Sequence, residues 1–408
     1  MTTTATDLSA WVQDARDVSV MALIDRRGIK LRKAGTEYAG PCPVCGGDDR
    51  FGVNPRKDVW LCRGSGRGGD AIALVEYLDG ADFLAACETL TGRAPPRGEG
   101  SRLSAEDLAR REGERRRLEA EREAQSASYR ERERGHLKVL WDAATKAHAA
   151  PMLAGYFARR GLDLPRPCKA LRFGADVPYF HGQAEDDRAR QRPRLIHRGP
   201  AMLAAITDAQ GLFRGLHCTW LDLSQPKGKA VIVDPDTGEL LPAKKVRGSK
   251  KGGRILLAPA ASGTPRRAFA GEGIETVAAA RTALLRVGGI HPDCEFAVGV
   301  DLGNLTGRAL ETVPHPTITH PDTAGRNRAW RVPGPVADMA APVMCVPDSI
   351  THLTLLADGD SDPFATRCAM QRAVERHTVP GRWVTVAWPP EGKDFNDMLM
   401  EAMPCAAE

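Results

Sequence analysis

Two thiols on one tight turn constrain this chain more than any other feature. Cys42-Pro43-Val44-Cys45-Gly46-Gly47 places them with two residues between, and the glycine pair lets backbone N–H groups turn toward the sulfurs. Cys62 follows in Trp60-Leu61-Cys62-Arg63-Gly64-Ser65-Gly66. A second turn that returns a ligand about fifteen to twenty residues later is the zinc-ribbon arrangement, because Zn²⁺ takes four tetrahedral ligands. Cys42, Cys45 and Cys62 are therefore the candidate zinc ligands. The fourth is expected at position 65, which is Ser, and no His lies between residues 1 and 135. Asp48, Asp49, Asp70 or a water would have to supply the last donor. A ribbon held by packing alone and a redox pair are the competing readings.

Only this one close Cys pair occurs among ten cysteines. A secreted disulfide scaffold would be denser in Cys, so a reducing, cytoplasmic setting is expected. No apolar run of about 18 residues is present, which excludes a membrane-spanning helix, and the N-terminus lacks a signal-peptide pattern. The 408 residues are 42% hydrophobic and 27% charged, enough for at least one sizeable core. A net charge of +5 permits an anionic partner.

The pattern predicts a multidomain α/β chain. An N-terminal helical segment covers 1–37 and a small β domain of zinc-ribbon type covers 38–95, ending in helices near Ala71–Leu78 and Asp82–Leu90. Residues 96–137 form a charged stretch in which acids nearly cancel bases, read as a solvated helical linker. An α+β segment of short strands follows over 138–262. From 263 to 408 strands and helices alternate, which predicts a parallel sheet flanked by helices. Strands are expected at Ala268–Ala270, Phe296–Val300, Leu353–Ala357 and Trp383–Ala387, and helices at Ile274–Leu285 and Pro363–His377.

Carboxylates follow three of these strands. Glu272-Gly273 opens a helix, Asp358-Gly359-Asp360 follows the third strand, and Gly392-Lys393-Asp394 follows the last. Open α/β sheets place their sites at the carboxyl ends of strands. Carboxylates converging there repel unless a hard cation is present, so Glu272, Asp358 and Asp360, helped by Asp394, predict a Mg²⁺ (or Mn²⁺) site for phosphoryl transfer. Ordinary Asp-Gly turn chemistry is the bland alternative. The most concentrated basic stretch, with Lys244, Lys245, Arg247, Lys250, Lys251 and Arg254, is the candidate contact for nucleic-acid or nucleotide phosphates, set against a solvated loop. His217, alternating on a strand, reads as a buried structural His.

Two sets of these residues resemble known families. Cys42-Pro-Val-Cys-Gly-Gly-Asp-Asp-Arg50-Phe51, Trp60-Leu-Cys62 and Gly68-Gly69-Asp70-Ala71-Ile72 look like the CHC2-type zinc ribbon of bacterial, phage and plasmid DNA primases, departing from it at Ser65. Glu272-Gly273, Asp358-Gly-Asp360 and Gly392-Lys-Asp394 resemble the Toprim domain of primases and topoisomerases, with Thr276 where primases often carry Asp. Arg159-Arg160-Gly161-Leu162 and Gly215-Leu216-His217-Cys218-Thr219-Trp220 look like the middle of phage and plasmid primase-like proteins. The resemblance implies a primase of phage, plasmid or integrated-element type. Such an enzyme makes short RNA primers on single-stranded DNA from ribonucleoside triphosphates, with template gripped by the ribbon and a separate helicase as a plausible partner. A Toprim nuclease and a lapsed single-stranded-DNA-binding accessory protein are the alternatives. A type IA topoisomerase would need a nucleophilic Tyr in a large further domain.

Overall fold

A computed structural model describes residues 5–34, 37–96, 130–183, 193–321 and 327–402, together with 113, 117, 127 and 128. The chain is a mixed α/β protein that divides into two compact units. One comprises 1–124, 182–194 and 312–333; the other comprises 125–181, 195–311 and 334–408.

The first unit is built around five antiparallel strands in chain order: Arg32–Ala34, Glu37–Cys42, Gly46–Asn54, Val59–Cys62 and Gly68–Gly69. Two helices close it, Ala71–Asp79 and Phe83–Thr91. Each begins on an Asp, Asp70 or Asp82, whose side chain accepts from the backbone N–H three residues on. Each ends on a glycine, Gly80 or Gly92, in the left-handed region. The aromatic core is a stack: Phe51 lies 5.5 Å from Trp60, and Trp60 lies 4.7 Å from Tyr77. The N-terminal helical segment is two helices, Ala5–Arg16 and Val20–Arg26, where the sequence pattern predicts one; they bring Trp11, Leu23 and Ile24 to the same core.

Of the charged stretch 101–135, residues 113, 117, 127–128 and 130–135 are described, all in helix; the rest of the expected linker lies outside the described residues.

The second unit carries two five-stranded sheets. One runs in the order Lys244–Gly248, Phe213–Trp220, Pro193–Thr207, Leu171–Gln183, Thr145–Lys146. The other runs in the order Ile255–Ala258, Cys294–Val298, Arg267–Gly271, His352–Leu356, Trp383–Ala387. Its last four strands are mutually parallel, and only Ile255–Ala258 is antiparallel. Helices Ile274–Arg286 and Pro363–His377 supply the crossovers. The expected strand ending at Val300 stops at Val298 instead, because Val300 takes a left-handed φ of 75°. A β-branched residue there is strained, which breaks the ladder beside the candidate site.

The hairpin Thr312–Pro321 and Asn327–Pro333 is a feature the sequence reading did not reach. Its strands interrupt the α/β alternation, and it clusters with the ribbon unit.

Candidate active site and metal centre

The parallel sheet delivers its carboxylates as its topology requires. Arg267–Gly271 and His352–Leu356 are adjacent and in register, Gly271 opposite Leu356. Glu272 and Asp358 therefore leave neighbouring strand ends on the same edge. Burial pushes Asp358 up to about 6, reinforced by a hydrogen bond and charge from Asp360 and by Glu272. Burial also raises Glu272, Lys244 opposes the rise, and Asp360 adds to it. Glu272 and Asp358 thus both feel the charge of Asp360, and Asp358 that of Glu272, although among the described residues only the three cysteines bring their ligand atoms within 4.8 Å of one another. The hard oxygens of these carboxylates fit a divalent cation.

Gly359 holds the loop in place. A Cβ there would clash with the carbonyl oxygen of Lys393 and stand 2.8 Å from that of Pro390. The Gly359 carbonyl accepts from Gly392 N–H at 2.7 Å. The Gly-Lys-Asp segment is therefore locked against the Asp-Gly-Asp loop. Asp394 itself caps helix Phe395–Glu401: its carboxylate accepts from Asp397 N–H at 2.7 Å, and Asp397 returns the bond at 3.1 Å. Asn396 anchors that helix, exchanging bonds of 2.9 and 2.7 Å with Arg160.

A cavity of about 230 Å³ opens beside Glu272, lined also by His217, Lys244, Lys245, Gly273 and Asp301. Beneath it lies a buried cluster. Glu275 accepts from the Tyr156 hydroxyl at 2.6 Å and pairs with Lys229 at 2.8 Å and Lys244 at 3.7 Å. Burial alone would raise Glu275, but Lys244 and Lys229 hold it well below the usual carboxylate range. Burial pushes Lys229 down to about 8 and His217 down to about 4. His217 is neutral and buried as expected, yet it lines the cavity and its Nδ1 has no hydrogen-bond partner among the described residues. Sequence reasoning missed Tyr156, Lys229, Glu275 and Asp301. Glu275 alone carried a signal, since it is an acid in the first turn of the helix that follows Glu272.

The basic stretch is a loop only in its second half, around Lys250 and Lys251. Lys244–Gly248 is an edge strand paired with Phe213–Trp220, and most of its cations are committed. Lys245 donates to the Phe180 carbonyl and covers the Tyr179 ring. Arg247 pairs with Glu133 at 2.8 Å, Lys250 with Asp301, and Arg254 with the buried Glu295. Lys251 is exposed, with no ion pair among the described residues. Lys244 faces both the cavity and Glu275.

In the ribbon unit Cys42, Cys45 and Cys62 are all but fully buried, and their sulfurs lie within 4.8 Å of one another. Cys45 and Cys62 are 3.3 Å apart. Gly64 makes room for them, since a Cβ there would be 3.1 Å from the Cys45 sulfur. Hydrogen bonds from Cys42 and Cys45 pull the Cys62 thiol down, while its neighbours push Cys45 up. Three sulfurs packed so tightly and sharing protons fit a thiophilic cation such as Zn²⁺. Of the proposed oxygen donors, Asp70 is spent as a helix cap and Asp49 is exposed. The Asp48 side chain lies outside the described residues.

Residues 9–96 match the CHC2 zinc finger family, and residues 131–257 match a domain of unknown function, DUF7146. The chain is 38% identical over 80 residues to a DNA primase of Halalkalibacterium halodurans and 33% identical over 67 residues to a DNA primase of Geobacillus stearothermophilus. Those matches cover 19% and 16% of this chain, and only 13% and 11% of the relatives' lengths. Among solved structures, the Aquifex aeolicus primase (zinc-binding and RNA polymerase domains) aligns over 96% of this chain and 82% of its own, at 15% identity and a TM-score of 0.36. A DnaG primase catalytic domain bound to single-stranded DNA aligns over 68% and 76%, at 15% identity and the same TM-score of 0.36.

Proposed function

We propose that this chain, which carries an N-terminal CHC2 zinc ribbon, is a DNA primase of phage, plasmid or integrated-element type. It would make short RNA primers on single-stranded DNA from ribonucleoside triphosphates. The observation that carries this reading is the convergence of Glu272, Asp358 and Asp360 at the carboxyl edge of a parallel sheet, next to a cavity bearing Lys244. In this reading the Toprim part spans 263–408, and 138–262 forms the rest of the core.

Asp358 and Asp360, with Glu272, would hold Mg²⁺, whose charge offsets that of the incoming triphosphate. Lys244 supplies the cavity's cation on the facing side, and its ion pair to Glu275 fixes where that charge sits. Glu272, raised by burial, is suited to keep or release a proton at that edge. Gly359 and the Arg160–Asn396 pair keep the two acidic loops in register. The exposed Lys251 serves the template phosphates. The ribbon would grip template, and a separate helicase would complete the replication role.

The test is to incubate the full chain with single-stranded DNA, labelled ribonucleotides and Mg²⁺. Short RNA products lost in Asp358→Asn and Asp360→Asn support primer synthesis. DNA fragments with the same dependence would instead make it a Toprim nuclease. DNA binding with neither product would make it an accessory protein.

A further inference from the structure

The ribbon lacks the thiol that would complete its metal site, and the structure shows what stands in its place. Position 65 is Ser, and its Oγ donates to the hydroxyl of Tyr77 at 3.1 Å. That hydroxyl lies 3.1 Å from the Cys42 sulfur. Ser65 N–H donates to the Cys62 sulfur at 3.4 Å, so the turn still wraps the cluster as a Cys-bearing turn would. Tyr77 is 7% exposed, and its ring is clamped between Trp60, 4.7 Å away, and the Arg67 guanidinium, 5.2 Å from the ring centre. Its hydroxyl is therefore held in place, with little freedom to swing to solvent.

Zn–S bonds of about 2.3 Å and Zn–O bonds of about 2.0–2.2 Å at tetrahedral angles set neighbouring ligand atoms about 3.5 Å apart. The spacing of Tyr77 Oη from the Cys42 sulfur is near that value. Resting on the zinc reading of the three cysteines, we propose that Tyr77 Oη supplies the fourth ligand, making the site three sulfurs and one oxygen, with Ser65 Oγ as the hydrogen-bond donor that orients it. A rival donor exists in the same unit. A Cβ on Gly46 would stand 3.1 Å from Nε2 of His320, on the 312–333 hairpin, and Trp330 donates to the Cys45 carbonyl. The His320 ring is exposed, whereas the Tyr77 hydroxyl already touches a ligand sulfur.

Cobalt exchanged into the full-length protein distinguishes these donors, because its visible bands report the ligand set and its near-ultraviolet band grows with the number of thiolates. Wild type should bind one cobalt with a three-thiolate spectrum. Tyr77→Phe keeps the ring but should shift the visible bands and weaken zinc, measured by chelator competition, by about 10–100-fold. Ser65→Cys should strengthen the charge-transfer band by about one third, to four thiolates. His320→Gln should leave the spectrum unmoved. An unchanged spectrum and affinity in Tyr77→Phe overturns the proposal. So does a Ser65→Cys spectrum identical to wild type, which serves if the Phe variant fails to fold, and so does a shift in His320→Gln. Wild type that binds neither cobalt nor zinc would sink the zinc reading itself, and the proposal with it.

Discussion

The cysteine cluster and the carboxylate cluster pose one electrostatic problem and answer it differently. Each gathers acidic ligands whose negative charges a cation would offset. The thiols come from two turns close in sequence, and all are at most 3% exposed. The carboxylates come from strand ends far apart in sequence, and Asp360 is exposed. A site closed by local turns holds its metal as part of the fold, whereas a site left open at a sheet edge can admit a substrate. The difference predicts that damage to one is structural and damage to the other chemical.

The largest effect should follow Cys62→Ser. Structural zinc contributes on the order of 10 kcal/mol to small zinc folds, so this variant should lose zinc and the amide-exchange protection of residues 37–91. Strands Arg267–Gly271 and His352–Leu356 should keep theirs. If both regions lose protection together in exchange mass spectrometry, the ribbon is not an independent structural site and the contrast fails.

Gly359→Ala attacks the open site through geometry alone. The new methyl would meet backbone oxygens of Lys393 and Pro390, which cannot rotate away as a flexible side chain would. The Asp358–Asp360 loop must move, and a displacement of about 1 Å can cost about 100-fold in rate. Primer synthesis should fall by that order, while overpacking costs about 1–3 kcal/mol of stability. Full activity would show that the lock on the Gly-Lys-Asp segment is not needed.

These two sites also mark what could be read before the structure. Helix Pro363–His377 and strand Trp383–Ala387 are legible to the residue, because Asp362-Pro363 starts the helix and alternation bounds the strand. Cys42, Cys45 and Cys62, and the Asp358–Asp360 pair, stand out in the sequence because each set is spaced locally, and Glu272 because it follows an expected strand. Tyr77 and Tyr156 are not: each reaches its site from one face of a helix, and only tertiary packing says which. The basic stretch misleads for the same reason. Its charges are local, but the acids that neutralise them, Glu133, Glu295 and Asp301, are remote in sequence.

That pairing orders the next effect. Lys251→Ala removes an exposed cation, so single-strand affinity should weaken and its salt slope fall by about 0.7. Lys250→Ala, which removes a partner of Asp301, should change the slope less. Equal slope changes for both would mean that the ion pair opens to release Lys250 for phosphate.

The smallest effect is the most diagnostic of an open anionic site. The folded pKa of Asp358, about 6, lies above its ordinary value of 3.8 because of burial first and Asp360 second. The folded state therefore binds this proton more tightly than the unfolded state does. The resulting destabilisation is complete above pH 6 and disappears as pH falls below about 4. Asp358→Asn should then stabilise the metal-free protein at pH 7.5, by about 1 kcal/mol once solvent screening of this half-exposed group is discounted, and by almost nothing at pH 4. Mg²⁺ should reverse the order. It should raise the melting temperature of wild type at pH 7.5, do so less at pH 5 where Asp358 keeps its proton, and do little for the Asn variant. A variant less stable than wild type at every pH, with or without Mg²⁺, would mean that Asp358 is a structural turn residue and that the two clusters are not the same problem.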